Sequence, residues 1–333
     1  MGIARTPSYY SEEQLRCYLL KIRFPGFSQG SALPGPTHDT LSKLMIGHLV
    51  TFPYENTDMH YTPMHLMRVA PADAYERQVV LGQGGWCCAQ NTLCLGMLRA
   101  LGYPAYAGAG RVNRFLGSEE DKPAEYKALC HMVLFVEPEG RGIHIVDVGF
   151  GGGGLTTPIE LRDGVEVPGA SGERVRLRRS PIPGAVRPAE DTWVLSTKRI
   201  DKDFWKNLYQ FSETELTLMD MLALSYATCM MPGAGAFWFD VVAFLFKIVP
   251  GTESQEGGPE MYRIQLNGGK VTEDRKEGKT VIRVCKDEAD RVKVLAEYFG
   301  LTVKPENIRW IEGRAAAMAN PITLDPTKDN IIG

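Results

Sequence analysis

From Trp86 to Leu101 the chain carries a long apolar helical repeat, entered through Gly84-Gly85 and closed by Gly102 and Pro104, the usual order of C-cap glycine and breaker. From Tyr106 onward the pattern changes to short β-like runs bounded by turn residues. Ahead of that switch, Ser11 to Ile22 places Leu15, Tyr18, Leu19 and Ile22 at helical spacing behind a Ser11 cap, with Glu12 and Glu13 set to complement the dipole. A loop rich in Gly, Pro and Ser (Gly26 to Thr37) leads to a second helix over Thr40 to Leu49, and Pro71 opens a third through Val80. Beyond the switch, His131 to Val136, Ile143 to Val148, Val175 to Leu177 and Thr192 to Thr197 read as strands of a small β domain. Helix-like spacing returns over Phe211 to Met230. Strands at Phe237 to Phe246, Met261 to Asn267 and Thr280 to Cys285 then precede a helix over Glu288 to Tyr298, with a polar loop at Gly251 to Pro259. The class is α+β, and 333 residues suffice for two domains or three small ones.

Composition narrows the partners. The net charge of -3, from 37 basic and 40 acidic side chains, leaves no electrostatic footprint for nucleic acid or an anionic membrane. The 7 cysteines are odd in number and irregularly spaced, and the first ten residues lack the halves of a signal peptide, so reduced thiols and a cytoplasmic location are expected. Met1-Gly2 with Thr6 fits the short myristoylation pattern, but no basic or second lipid signal accompanies it. The longest uncharged stretch, Met221 to Phe239, contains Pro232, Gly233 and Gly235 and reads as a buried helix running into a turn and a strand.

The sharpest chemical feature is Gly84-Gly85-Trp86-Cys87-Cys88, where a flexible turn delivers a thiol to the first turn of a helix. Free amides and partial positive charge there favour thiolate over thiol, so Cys87 is expected to ionise near neutral pH; a buried structural cysteine is the alternative. A thiolate nucleophile needs an imidazole and a group that fixes its tautomer. His131 begins one strand and Asp147 ends the next, and across an antiparallel pair these become neighbours; a turn aspartate and an exposed histidine are the alternatives. The remaining histidines show no zinc spacing, so no metal is expected. Gly149-Phe150-Gly151-Gly152-Gly153-Gly154 fits GxGxxG literally, but Leu155-Thr156-Thr157-Pro158 opens no helix to receive a pyrophosphate.

Taken in order, these blocks resemble the arylamine N-acetyltransferase family. Phe52-Pro53-Tyr54-Glu55-Asn56 is similar to its Pro-Phe-Glu-Asn segment, Gly84-Gly85-Trp86-Cys87 with Gln90-Asn91 to its nucleophile block, and His131-Met132-Val133 and Val146-Asp147-Val148-Gly149-Phe150-Gly151 to its histidine and aspartate blocks. The resemblance implies an N-terminal helical bundle (1–104), a central β-barrel (105–210) and a C-terminal α/β lid (211–333), around a papain- or transglutaminase-like Cys-His-Asp core. It implies ping-pong transfer of a short acyl group, acetyl, malonyl or propionyl, from acyl-coenzyme A through Cys87 to an aromatic amine or hydrazine, as in xenobiotic metabolism. His131 and Asp147 would complete the triad. Trp86 and Phe150 would border the acceptor, and Gly151, Gly152 and Gly153 would lie near the coenzyme. The length suggests a eukaryotic, fungal-like member.

Several positions depart from the family pattern. Gln83 stands where the family has Arg before Gly-Gly while Glu55 is kept, and Gln83 and Glu55 are expected to touch; Ala89, Cys130 and Ala234 to Ala236 also differ. Two other readings share the same residues: a thiol hydrolase or cross-linking enzyme of the papain or transglutaminase type, and a non-catalytic descendant that binds an aromatic ligand. The sequence specifies neither the oligomeric state nor the acyl donor.

Overall fold

The protein is described by a computed structural model covering residues 2–116, 121–183, 185–186, 191–231, 236–253 and 258–318. The helical part comprises α1 (Glu12–Lys21), α2 (His38–Thr51), α3 (Thr57–Tyr61), α4 (Pro71–Tyr75) and α5 (Cys87–Ala100), with the two-residue strand β1 (Tyr54–Glu55) between α2 and α3. Ser11 caps α1 as expected and closes a full capping box with Gln14. The second helix starts earlier than its apolar spacing indicates, because the Thr37 side chain accepts the Thr40 amide and so admits His38 and Asp39 as first-turn residues. After α4 the third helix widens into a π-helical turn over Glu76–Val80.

The barrel is an antiparallel sheet built from β2 (Ala105–Asn113), β3 (Tyr126–Val136), β4 (His144–Val146), β5 (Ile159–Glu160), β6 (Glu166–Pro168), β7 (Arg174–Pro181), β8 (Asp191–Lys198) and β9 (Lys206–Leu216). Its order is β5-β4-β3-β2-β9-β8-β7-β6, so the two edge strands are consecutive in sequence and the sheet curls nearly shut. The helical spacing read from Phe211 is strand through Leu216. Only from Leu218 does α6 (Leu218–Met230) begin, capped by Thr217 reciprocally with Asp220. Pairing with β2 and β8 overrides local spacing here, since Phe211 lies opposite both Gly110 and Trp193.

The lid sheet contains β10 (Val242–Ile248), β11 (Met261–Asn267), β12 (Lys270–Arg275) and β13 (Gly278–Val284), and α7 (Glu288–Phe299) follows it. The strand read from Phe237 starts five residues later, behind a short 3-10 turn at Ala236–Trp238. The order β1-β10-β11-β12-β13 makes Tyr54–Glu55, from the helical half, the edge of the C-terminal sheet. One apolar core joins the helices to the barrel, and a second, around Leu266, Val294, Leu295 and Phe299, underlies the lid. Ala234 and the side chain of Ala236 lie outside the described residues, as do residues 254–257 of the polar loop. Among the described residues no helix is long and apolar enough to cross a membrane.

A buried ion cluster fastens barrel to lid. Arg263 on β11 donates from Nη1 and Nη2 to both Glu173 carboxylate oxygens at 2.8 Å, and from Nη2 to Asp274 on β12. Arg199, beyond β8, reaches the other Asp274 oxygen at 2.8 Å. Ser171, held at φ 56° in the left-handed region, donates its hydroxyl to the Asp274 carbonyl at 2.6 Å. Removing one member strands buried charge. Arg263→Leu is therefore expected to lower the unfolding free energy by about 3–5 kcal/mol, read as a shifted urea midpoint at unchanged slope. A loss below about 1 kcal/mol would show that the cluster does not hold the two sheets together.

Candidate active site

Cys87 is the first residue of α5, and Trp86 caps the helix in an extended conformation without a side-chain bond. The turn ahead of it runs against β1. Glu55 N–H donates to the Gly85 carbonyl at 3.1 Å and Gly85 N–H to the Pro53 carbonyl at 3.2 Å. A Cβ on Gly84 would stand 2.0 Å from the Pro53 oxygen, so only glycine allows this approach. Behind the turn, the Gln90 amide donates to the Pro53 carbonyl at 2.8 Å and its oxygen accepts from His48 Nε2 at 2.7 Å. The other ring nitrogen of His48 then accepts from the Tyr18 hydroxyl at 3.1 Å, and burial holds this imidazole neutral, with its pKa lowered to about 4.

β3 and β4 pair with Leu134 opposite Val146. Continuing that register places Asp147 opposite Val133, on the face that also carries His131. His131 Nε2 donates to Asp147 Oδ2 at 2.7 Å, which leaves Nδ1 for the Cys87 thiol. Both side chains are buried. Tyr209 on β9 donates its hydroxyl to the same carboxylate oxygen at 2.9 Å, while Asn91 Nδ2 (3.0 Å) and Gly149 N–H (2.9 Å) donate to the other. Asn91 lies one helical turn after Cys87 and also binds the backbone of Met132 and Val148 on the two facing segments. A Cβ at Gly149 would meet the Cys87 Cα at 2.7 Å, so this glycine sets how closely the aspartate loop approaches α5.

Electrostatics modifies the simple reading of a thiol at a helix end. The Cys88 thiol, whose sulfur lies 3.9 Å from that of Cys87, and complete burial push the Cys87 thiol well above its ordinary value. His131 pulls it the other way, so ionisation depends on the imidazole and helix position alone does not supply it. Burial acts to lower the pKa of His131, but the Asp147 carboxylate overrides it and raises the value to about 10. For Asp147, burial acts upward and the His131, Asn91 and Gly149 donors bring it below the usual carboxylate range. The stability contributed by His131 is thus complete below about pH 6.5 and is lost as the pH rises through about 10. That of Asp147 is present above 3.8 and is lost as the pH falls through its lowered value.

The other sequence-selected residues are placed as follows. Phe150 is half-buried and meets His131 edge-on at 5.2 Å, with Tyr209 at 5.0 Å. Trp86 is fully buried 5.7 Å from the Phe237 ring, and its Nε1 has no partner among the described residues. Gly151, Gly152 and Gly153 pass over Phe244 and Arg263 of the lid sheet, with Gly151 at φ 80° and Gly153 at φ 87°. The expected contact between Gln83 and Glu55 is absent: the Gln83 side chain accepts the Thr302 N–H at 3.1 Å, and Glu55 is paired instead with Arg77 at 2.8 Å. Ala89 is buried with its Cβ 2.7 Å from where a Gly85 Cβ would sit, and the Cys130 carbonyl accepts from the Cys87 thiol at 3.6 Å. Sequence reasoning singled out neither Tyr209 nor Arg77; Asn91 has a local signal in its spacing from Cys87. Among the described residues no cluster of His, Cys, Asp or Glu is arranged to hold a metal.

A family profile described as N-acetyltransferase matches residues 37–308. An N-malonyltransferase of Fusarium pseudograminearum is 27% identical over 321 residues, covering 90% of this chain and 92% of that protein. An arylamine N-acetyltransferase of Mycobacterium tuberculosis is 27% identical over 289 residues, covering 87% and 89%. Among solved structures, the arylamine N-acetyltransferase of Mycobacterium marinum superposes with a TM-score of 0.71 at 26% identity, over 90% of this chain and 99% of that one. The structure of that enzyme in complex with CoA gives 0.67 at 26%, over 91% and 96%.

Replacing the neighbouring thiol tests the electrostatic reading. In Cys88→Ala the largest cause raising the Cys87 pKa is gone, so iodoacetamide should modify Cys87 with a pH profile displaced to lower pH, followed by peptide mass mapping. An unchanged or upward-displaced profile would contradict it.

Proposed function

The chain belongs to the arylamine N-acetyltransferase family of acyltransferases, and on that premise we propose that it transfers a short acyl group from acyl-coenzyme A to an aromatic amine or hydrazine through a thioester on Cys87. The observation that carries this reading is that Cys87, at the α5 N-terminus, sits where His131 lowers its pKa, while His131 donates to a buried Asp147 held by three further donors. Asp147 fixes the tautomer of His131 and stabilises its cation, and the cation makes the Cys87 thiolate accessible. Similarity to both an N-malonyltransferase and arylamine N-acetyltransferases, one solved in complex with CoA, supports coenzyme A as carrier and acetyl or malonyl as cargo.

In the first half-reaction the Cys87 sulfur attacks the thioester carbonyl, the thiol proton having passed to His131. The tetrahedral oxyanion faces the start of α5, where amides including that of Cys87 lack intrahelical partners. Collapse breaks the bond to the coenzyme sulfur, which leaves with the proton from His131. In the second half the amine attacks the Cys87 thioester and gives its proton to neutral His131. Expulsion of the Cys87 thiolate completes the amide and regenerates the thiolate–imidazolium pair. Phe150 and Tyr209 line the imidazole with aromatic surface, which suits a planar acceptor ring.

Intact-protein mass after brief mixing with acetyl-, propionyl- or malonyl-coenzyme A, without amine, isolates the first half-reaction. Wild type and Cys88→Ala are expected to gain one acyl mass, and Cys87→Ala none, with the favoured donor giving the fullest labelling. Labelling that survives in Cys87→Ala, or absence of both labelling and amine acylation with every donor, would refute the proposal.

A further inference from the structure

Arg77 is a buried cation that the mechanism above does not use. It projects from the π-helical turn after α4, a rare geometry that recurs at functional sites. Its guanidinium donates from Nε to the Gly84 carbonyl at 2.9 Å, from Nη2 to Glu55 Oε1 at 2.8 Å and Thr57 Oγ1 at 3.0 Å, and from Nη1 to Asp58 Oδ2 at 2.6 Å. Glu55 is itself fully buried, and its second oxygen accepts the Thr57 N–H at 2.5 Å. One side chain therefore holds both walls of the turn that delivers Cys87: the Gly84 carbonyl directly, and β1 through Glu55.

Arg77 is paired with two carboxylates, Glu55 and Asp58, and the causes that shift the Cys87 thiol are Cys88, burial and His131, so the influence of Arg77 on the thiol is geometric. Gly84 and Gly85 have no side chains of their own to hold them, and α5 begins two residues later. The direction in which that helix starts follows from how the two glycines are gripped. Resting on the assignment of Cys87 as nucleophile, we propose that Arg77 is a positioning residue: it locks the Gly84–Gly85 turn against β1 so that Cys87 faces His131. Gln83 lies beside this grip through its backbone alone: its N–H donates to the Arg77 carbonyl at 2.9 Å, and its side chain is turned to the Thr302 N–H at 3.1 Å.

The test is the pH profile of Cys87 alkylation in full-length Arg77→Gln and Arg77→Lys, with folding followed by circular dichroism. Arg77→Gln is expected to displace the profile upward by about one pH unit, because a thiol turned away from His131 loses the group that lowers its pKa. Its kcat for acyl transfer should fall about tenfold with KM for the amine little changed. Arg77→Lys is expected to move both in the same direction, which loss of charge alone does not explain. A folded Arg77→Gln protein with the wild-type profile overturns the proposal. Should Arg77→Gln fail to fold, Arg77→Lys keeps the charge and loses the fork, and an unmoved profile there overturns it equally. Alkylation needs no acyl donor, so failure of all acyl uptake refutes the function while leaving this measurement readable.

Discussion

The carboxylate of Asp147 accepts hydrogen bonds from Asn91 on α5, His131 on β3, Tyr209 on β9 and the amide of Gly149. Placed alone in this interior it would carry a large desolvation cost, so the site exists only because helix, barrel strands and loop arrive together. Each donor also fixes its own element: Asn91 ties α5 to β3 and to the segment after β4, and Tyr209 packs against the His131 ring at 4.7 Å. The helix–barrel seam and the His131–Asp147 pair are one hydrogen-bonded structure.

Chemistry follows from the same constraint. Cys87 is buried beside a second thiol, and both conditions favour its protonated form. His131 is the counterweight, and it holds charge in a buried site because Asp147 is there. Glycines make the required approach possible: Gly149 admits the aspartate loop to the α5 backbone, and Gly84 admits the turn before Cys87 to β1. β1 is also the edge of the lid sheet, so the turn is linked through Tyr54 and Glu55 to β10, where Phe244 lies against the glycine-rich loop.

Much of this was legible because it is local. The Ser11 cap, the helix entered at Trp86 and closed by Gly102, and the neighbouring placement of His131 and Asp147 all follow from short-range pattern and antiparallel geometry. What escaped is non-local. Phe211 to Leu216 carries no alternation strong enough to announce a strand, and its pairing with β2 and β8 decides. Arg77 reaches Glu55 across 22 residues through a π-helical turn that no spacing rule anticipates, whereas the expected Gln83–Glu55 contact follows only from the place of Gln83 in the family pattern. The ionisation of Cys87 depends on Cys88, on burial and on His131, and helix position was too narrow a guide.

The central claim is that Asp147 keeps His131 charged in a buried site. Titration of the His131 ring by NMR in histidine-labelled protein, assigned with a His131 variant, tests it in wild type and Asp147→Asn. The account predicts a wild-type midpoint of about 10, and in the variant a midpoint below 6.5, where burial acts unopposed by a carboxylate. A wild-type ring titrating near 6.5 and unmoved by the substitution would contradict it.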